Sequence, residues 1–279
     1  MTGLSYVGEQ VRRYDHDRFV TAIFASKHAR EHLFALYAFN IEIAKIGEVV
    51  TEPLIGRIRL QWWRDTLDRL YAGNRVAHGV AAPLGNAILT CRLERTLFDR
   101  LIAAREFDLD GAPPQDLSAL EIYAEYTSAP LLELALSITA GSRSDSAEVA
   151  RLTGKAWALT GLLRAVPFHA RQRRCYLPSD LLAAGQVPIN RLYDLKSCPE
   201  LIDIASKIGE RARSTLMEAR ISVKQRSRAD RSPLLLLPLA LRYLHDLEGV
   251  GWDPFLLEQR TKQALPMVSL AVRAALGRY

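Results

Sequence analysis

The chain has 279 residues, 49% hydrophobic and 24% charged, an ordinary globular balance with enough apolar material for one large core. Its net charge of +6 is modest and scattered, which excludes a nucleic-acid binder and suits a diphosphate, an acidic partner or an anionic membrane surface. Cys91, Cys175 and Cys198 lie far apart with no paired spacing, which excludes a disulfide scaffold and fits a reducing compartment.

The first residues carry no apolar signal region, and Asp15 and Asp17 come early. The longest apolar run, Leu234 to Leu241, is about half of the ~20 residues a membrane span needs. The chain is therefore read as soluble and cytoplasmic, with peripheral contact at the inner face of a membrane left open. Nothing in composition divides it, so residues 1–279 are expected to form a single domain.

Helical periodicity runs through almost every segment, and no stretch alternates with period two. Asp15 to Ala25 suits a short helix. Ser26 is placed to cap a long one from Lys27 to Val50, with Leu33, Leu36, Tyr37, Asn40, Ala44 and Gly47 on one buried or cavity-lining face. Pro53 is expected to end it, with Gly56 in the turn. The next helix spans Ile58 to Tyr71 with Ile58, Trp62, Leu67 and Leu70 inward, and Gly73-Asn74 stops it. The adjacent Trp62 and Trp63 point in different directions, so one is expected at a surface. Pro83 opens a helix to about Phe107, followed by the loop 108–116. Leu117 to Ala140 is helical and interrupted by Pro130. A loop at 141–146 ends on Ser146, which can cap Ala147 to Val166. After Pro167 the chain turns irregular, with a short helix at Ser179 to Ala184. Leu201 to Ser227, Pro233 to Leu247 and Pro254 to Leu276 are the last helices, giving an all-α bundle of roughly eight to ten helices around a central cavity.

Several blocks carry more than periodicity. Leu36-Tyr37-Ala38-Phe39-Asn40 comes first, then Gln61-Trp62-Trp63-Arg64 with Leu67 and Tyr71-Ala72-Gly73. Phe107-Asp108-Leu109-Asp110 with Tyr123 follows, then Leu162-Leu163-Arg164, and finally Arg174-Cys175-Tyr176-Leu177-Pro178. In this order and spacing they resemble the squalene/phytoene synthase family, from about Asp15 to Val250. The resemblance implies an isoprenoid (terpenoid) synthase-like fold. It also implies prenyl-diphosphate chemistry in which two aspartate-bearing helices hold Mg²⁺.

On the matching positions most of those aspartates are missing. The first cluster falls on Ala44 and Lys45, and only Glu48 is acidic; the second falls on Ala165 and His169, with Gly161 where the family has an asparagine. Mg²⁺ requires an oxygen-rich shell, so no metal, no cofactor and no catalytic residue are expected. His169 alone suits zinc better than magnesium. The resemblance leaves a remnant diphosphate site of Tyr37, Lys45, Glu48, Arg164, Arg174 and Tyr176. The retained cations Arg164, Arg171, Arg173 and Arg174 fit two roles: guanidinium forks on phosphate, or caps on a helix C-terminus.

The wording of the blocks also resembles a branch of the family that includes an assembly factor of mitochondrial respiratory complex I. That implies a non-catalytic binding or assembly factor with complex I subunits as protein partners. The alternative is a prenyltransferase that condenses or binds farnesyl or geranylgeranyl diphosphate, with Mg²⁺ recruited through Glu48 and Asp65. A third reading is a carrier for an isoprenoid ligand. Two contact surfaces are expected, the outward tryptophan and a basic helix, Ile208 to Arg228, carrying Arg211, Arg213, Arg220, Lys224, Arg226 and Arg228.

Overall fold

In a computed structural model of the chain, residues 3–140, 146–224 and 232–260 are described, and among them are helices and loops but no strand. Helix α1 (Tyr6–Tyr14), absent from the sequence reading, starts where the Ser5 hydroxyl accepts the Gly8 N–H at 3.2 Å. Helix α2 (His16–Ile23) is capped by Asp15, which accepts the Arg18 N–H. Helix α3 (Lys27–Val49) begins as expected at Ser26, whose hydroxyl accepts the Ala29 N–H. It is the pole of this half of the molecule. Phe34 to Ile41 are buried on every side rather than along one stripe, because α1, α2 and later helices wrap it.

Pro53 opens a helix instead of closing one. It sits at the first position of α4 (Pro53–Tyr71), where its missing N–H costs nothing. Gly56 lies inside that first turn and not in a loop, since a side chain there would overlap Leu109. The inward stripe of α4 also differs from expectation: Leu60, Trp63, Leu67 and Leu70 are buried, while Ile58 and Trp62 face outward. Of the two tryptophans, Trp63 is the core residue and Trp62 the surface one.

The helix expected from Pro83 to Phe107 is two, α5 (Ala81–Cys91) and α6 (Arg95–Ala104). Arg92 adopts φ 51° between them and closes α5 in a left-handed cap, which no glycine announced. A four-residue helix α7 (Phe107–Asp110) ends at Gly111, φ 69°. Helix α8 (Leu117–Ala140) continues through Pro130. It crosses α9 (Ser146–Arg164) closely at Gly154, where a Cβ would stand 2.7 Å from Ala129 Cα.

Past Pro167 the chain is less irregular than read. Short helices α10 (Val166–Arg171), α11 (Ser179–Ala184) and α12 (Ile189–Tyr193) raise the number of elements, and α11 falls where expected. Helix α13 (Pro199–Lys224), a 3-10 turn Ser232–Leu235, α14 (Leu236–Glu248) and α15 (Pro254–Arg260) follow. The expected loop at 141–145, the far end of the basic helix and most of the last helix lie outside the described residues.

Two apolar cores result. One gathers α9, α13 and α14 around Ala156, Leu159, Leu244 and Leu247. The other gathers α3 to α6 around Phe34, Phe39, Leu67 and Phe98. Helix α8 belongs to both, giving Leu132 and Leu136 to the first and Leu131 and Leu134 to the second. Among the described residues no helix is long and apolar enough to cross a membrane.

Candidate functional site

The short helix α7 drives one carboxylate into the gap between the C-terminal end of α3 and the loop after α10. Asp108 is 5% exposed. Its Oδ1 accepts the hydroxyls of Tyr123 at 2.7 Å and Tyr176 at 2.8 Å, and its Oδ2 accepts Nη1 of Arg105 at 3.2 Å. A buried carboxylate is tolerated when a cation and good donors surround it, and here a guanidinium and two phenols do so. Burial and then the Asp108 charge push both phenols well above the ordinary tyrosine value, so both stay neutral donors. Burial pulls Arg105 down, but the charge and hydrogen bond of Asp108 outweigh it and hold the guanidinium cationic.

Arg174 locks this cluster to α3. Its Nη1 donates to the Asp108 carbonyl at 2.9 Å and its Nη2 to the Gly47 carbonyl. Gly47 is required at that spot, because a Cβ would lie 2.8 Å from Asp108 Cβ. The ring of His169 packs 4.6 Å from that of Tyr176. Burial lowers His169 to about 4 against the opposing pull of Asp108, with a still smaller downward push from Arg174, so the imidazole is neutral near neutral pH. Glu48 sits at the rim. Partial loss of water raises its carboxyl, only partly offset by Arg105, Lys45 and Arg174.

The six residues of the remnant site do not converge. Glu48, Arg174 and Tyr176 gather around Asp108. Arg164 is elsewhere, 3.3 Å from Asp17 and 3.4 Å above the Tyr243 ring, with the Tyr243 hydroxyl donating to Asp17 at 2.6 Å. Tyr37 is buried beneath Arg18, which pairs with Asp15 at 2.6 Å and lies near the faces of Tyr37 and Trp157. Lys45 turns to the opposite flank of α3, with Nζ 2.7 Å from the centre of the Tyr14 ring.

Asp15, Asp17, Arg18 and Arg105 therefore belong to the site region although the sequence reading gave them no such place. Asp15 had a local signal as a helix cap. Asp17 and Arg164 are 147 residues apart, and nothing local announces that pair.

Two arginines of the expected basic surface are engaged as well. Arg211 holds Glu121 at 3.0 Å and Arg213 holds Glu248 at 2.7 Å. The side chains of Lys224, Arg226 and Arg228 lie outside the described residues.

Mg²⁺ does not fit this donor set. It needs near-octahedral oxygen coordination, and the positions implied by the resemblance offer one rim carboxylate, a neutral imidazole and a lysine. Asp65 accepts from Gln61 and Asp68 pairs with Arg95, so these carboxylates are engaged along α4. Among the described residues no three histidine, cysteine or acidic side chains come together.

Comparison with known proteins agrees with the architecture. The squalene/phytoene synthase family model matches residues 11–267. The Bos taurus protein "NADH dehydrogenase (ubiquinone) complex I, assembly factor 6" is 30% identical over 275 residues, covering 98% of this chain and 82% of that one. Its Homo sapiens counterpart is 27% identical over 270 residues, covering 96% and 81%. A presqualene diphosphate synthase of Rhodopseudomonas palustris is 31% identical over 157 residues, covering 55% and 54%. Among solved structures, a dehydrosqualene synthase in complex with ligand aligns with a TM-score of 0.81 at 18% identity, covering 98% of this chain and 96% of that one. This is the all-α isoprenoid synthase fold. With a family match across most of its length, the chain belongs to the squalene/phytoene synthase family.

Proposed function

We propose that this chain is a non-catalytic member of its family and acts as an assembly factor for respiratory complex I, with a complex I subunit or assembly intermediate as its protein partner. One observation carries the non-catalytic half. The cations near the remnant diphosphate site already have partners within the chain: Arg164 with Asp17, Arg18 with Asp15, Arg105 with Asp108, and Arg174 with two backbone carbonyls. Ionising a prenyl diphosphate means stabilising a highly charged leaving group, for which a metal clamp supplies several kcal/mol. Here the metal ligands are replaced, and diphosphate binding would have to break ion pairs first. The assembly half is supported by the near full-length similarity to proteins named complex I assembly factor 6.

The test is turnover. The full chain is incubated with farnesyl or geranylgeranyl diphosphate, with and without Mg²⁺, and pyrophosphate and apolar product are scored. No release is expected. Mg²⁺-dependent release would overturn the reading and make the chain an active prenyltransferase. Absence of release with strong thermal stabilisation by the diphosphates would point to an isoprenoid-binding protein. The partner half is tested in host cells lacking the chain, where loss of assembled complex I is the expected result.

A further inference from the structure

The outer flank of α3 holds charges that form no ion pair among the described residues. A pocket of about 470 Å³ opens there between α1, α3, α4 and the segment leading into α5, within the size range of specific ligand sites. Its apolar lining comes from Ile41 and Ile46, with Val49 at the rim. One wall is Trp62, whose ring lies 5.0 Å from that of Trp63 and 5.1 Å from that of His78. His78 is itself fixed, because its Nδ1 accepts the N–H groups of Val80 and Ala81, both at 3.3 Å. The wall is thus set before anything binds, which lowers the cost of binding. Glu42, Lys45 and Arg59 also line the pocket, and none of them forms a salt bridge among the described residues.

The pocket continues into an exposed apolar stripe. Leu54, Ile58 and Trp62 follow one another at four-residue spacing on α4 and are 64%, 61% and 43% exposed, and Val49 at the end of α3 is 61% exposed. The stripe is roughly 12 Å long at the helical rise. Contiguous apolar surface of this kind marks an interaction site.

We propose that this stripe and pocket dock an amphipathic helix of a partner protein, with one apolar side chain seated against Trp62 and a carboxylate on the helix flank paired with Arg59. Naming a protein as the occupant rests on the assembly-factor reading. Charge supports the choice. The pocket carries both signs, and an anionic lipid surface would meet Glu42 and leave it unpaired. A helix offers acidic and basic side chains at fixed spacing beside its apolar face, which is how helix-in-groove recognition works. A small molecule would fill the pocket and leave the stripe bare.

Two labelled helical peptides test this, identical in their apolar anchors at i, i+4 and i+7. One carries a glutamate on the flank that meets Arg59 and a lysine on the flank that meets Glu42, the other has the two exchanged, and each is titrated with the full chain by fluorescence anisotropy. The first is expected to bind at least tenfold more tightly, and Arg59→Glu to abolish or invert that preference. Ile58→Glu and Leu54→Glu, at positions already exposed, should weaken binding at least tenfold with an unchanged melting temperature. Equal affinity for the two peptides, or binding indifferent to Ile58→Glu, overturns the proposal. So does binding to phosphatidylglycerol vesicles that Ile58→Glu removes while neither peptide binds, and so does a dimer of this chain that Ile58→Glu dissociates. In host cells lacking the chain, the two readings fail separately. If the wild type restores complex I and Ile58→Glu restores it equally, docking at this face is wrong and the assembly reading stands. If the wild type leaves complex I unaffected, the assembly reading fails, and the peptide titration still decides the surface.

Discussion

The two flanks of α3 are built on opposite plans. On the inner flank, beside Gly47, the carboxylate of Asp108 is surrounded by Arg105, Tyr123 and Tyr176, and Arg174 is tied to two carbonyls. On the outer flank Glu42 and Arg59 line a pocket without an ion pair, Lys45 lies over the Tyr14 ring, and apolar side chains of α4 stand in solvent beside them. The difference teaches where to look for a partner surface on this chain. On the inner flank the buried charges satisfy one another, so removing any one of them is costly. Unpaired charge beside exposed apolar surface contributes little to folding and is available to a partner.

The comparison breaks first at Asp108. Asp108→Ala leaves a buried guanidinium without its carboxylate and two phenols without an acceptor. It should cost roughly 3–5 kcal/mol in urea unfolding, and a loss below about 1 kcal/mol would show that the inner flank is not a structural cluster. Gly47→Ala comes next. Its Cβ would press on Asp108 at 2.8 Å, and relieving that contact by moving α7 should cost about 1–3 kcal/mol.

His169 sharpens the contrast through pH. Its native value near 4 lies below the ordinary 6.5. Between those values the unfolded chain binds a proton that the native chain does not, so native stability falls as pH drops from about 6.5 toward about 4. Glu48, raised by burial, contributes with the opposite sign. The difference between wild type and His169→Gln isolates the histidine. The variant should lose about 1–2 kcal/mol less between pH 7 and pH 4.5, and parallel profiles would mean that His169 is hydrated in the native state. The smallest effect belongs to the outer flank. Arg59→Ala should change stability by no more than about 0.5 kcal/mol, and a larger loss would mean that Arg59 serves the fold.

Much of the fold was legible because its signals are local. Ser26 caps α3 as its hydroxyl and position imply, α11 begins after Pro178, and the adjacent tryptophans split between core and surface. Punctuation was harder. Pro83 lies in the first turn of a helix as its chemistry implies, whereas Pro53, expected to end α3, opens α4. The break at Arg92 carries no glycine, so no residue type announces it. The inward stripe of α4 was misread because Ile58 and Trp62, apolar at helical spacing, belong to an exposed face. In the site, Arg174 and Tyr176 were named from the motif, but their tie to Asp108 spans 66 and 68 residues and has no trace in spacing. The same holds for Arg164 and Asp17. Sequence resemblance located the residues, while the chain's long-range contacts decide that they are occupied.

The Arg174 clasp bears on the order of events when the chain folds. It joins Gly47 and Asp108 to a residue 127 and 66 positions later, so its contacts reward the chain only after two large loops have closed. A contact that waits on two such closures is expected to form late, after helices such as α3 whose bonds are local. Arg174→Ala is then expected to speed unfolding and leave folding nearly as fast, which rate measurements on the variant and the wild type check; equal slowing of folding would place the clasp at the barrier itself.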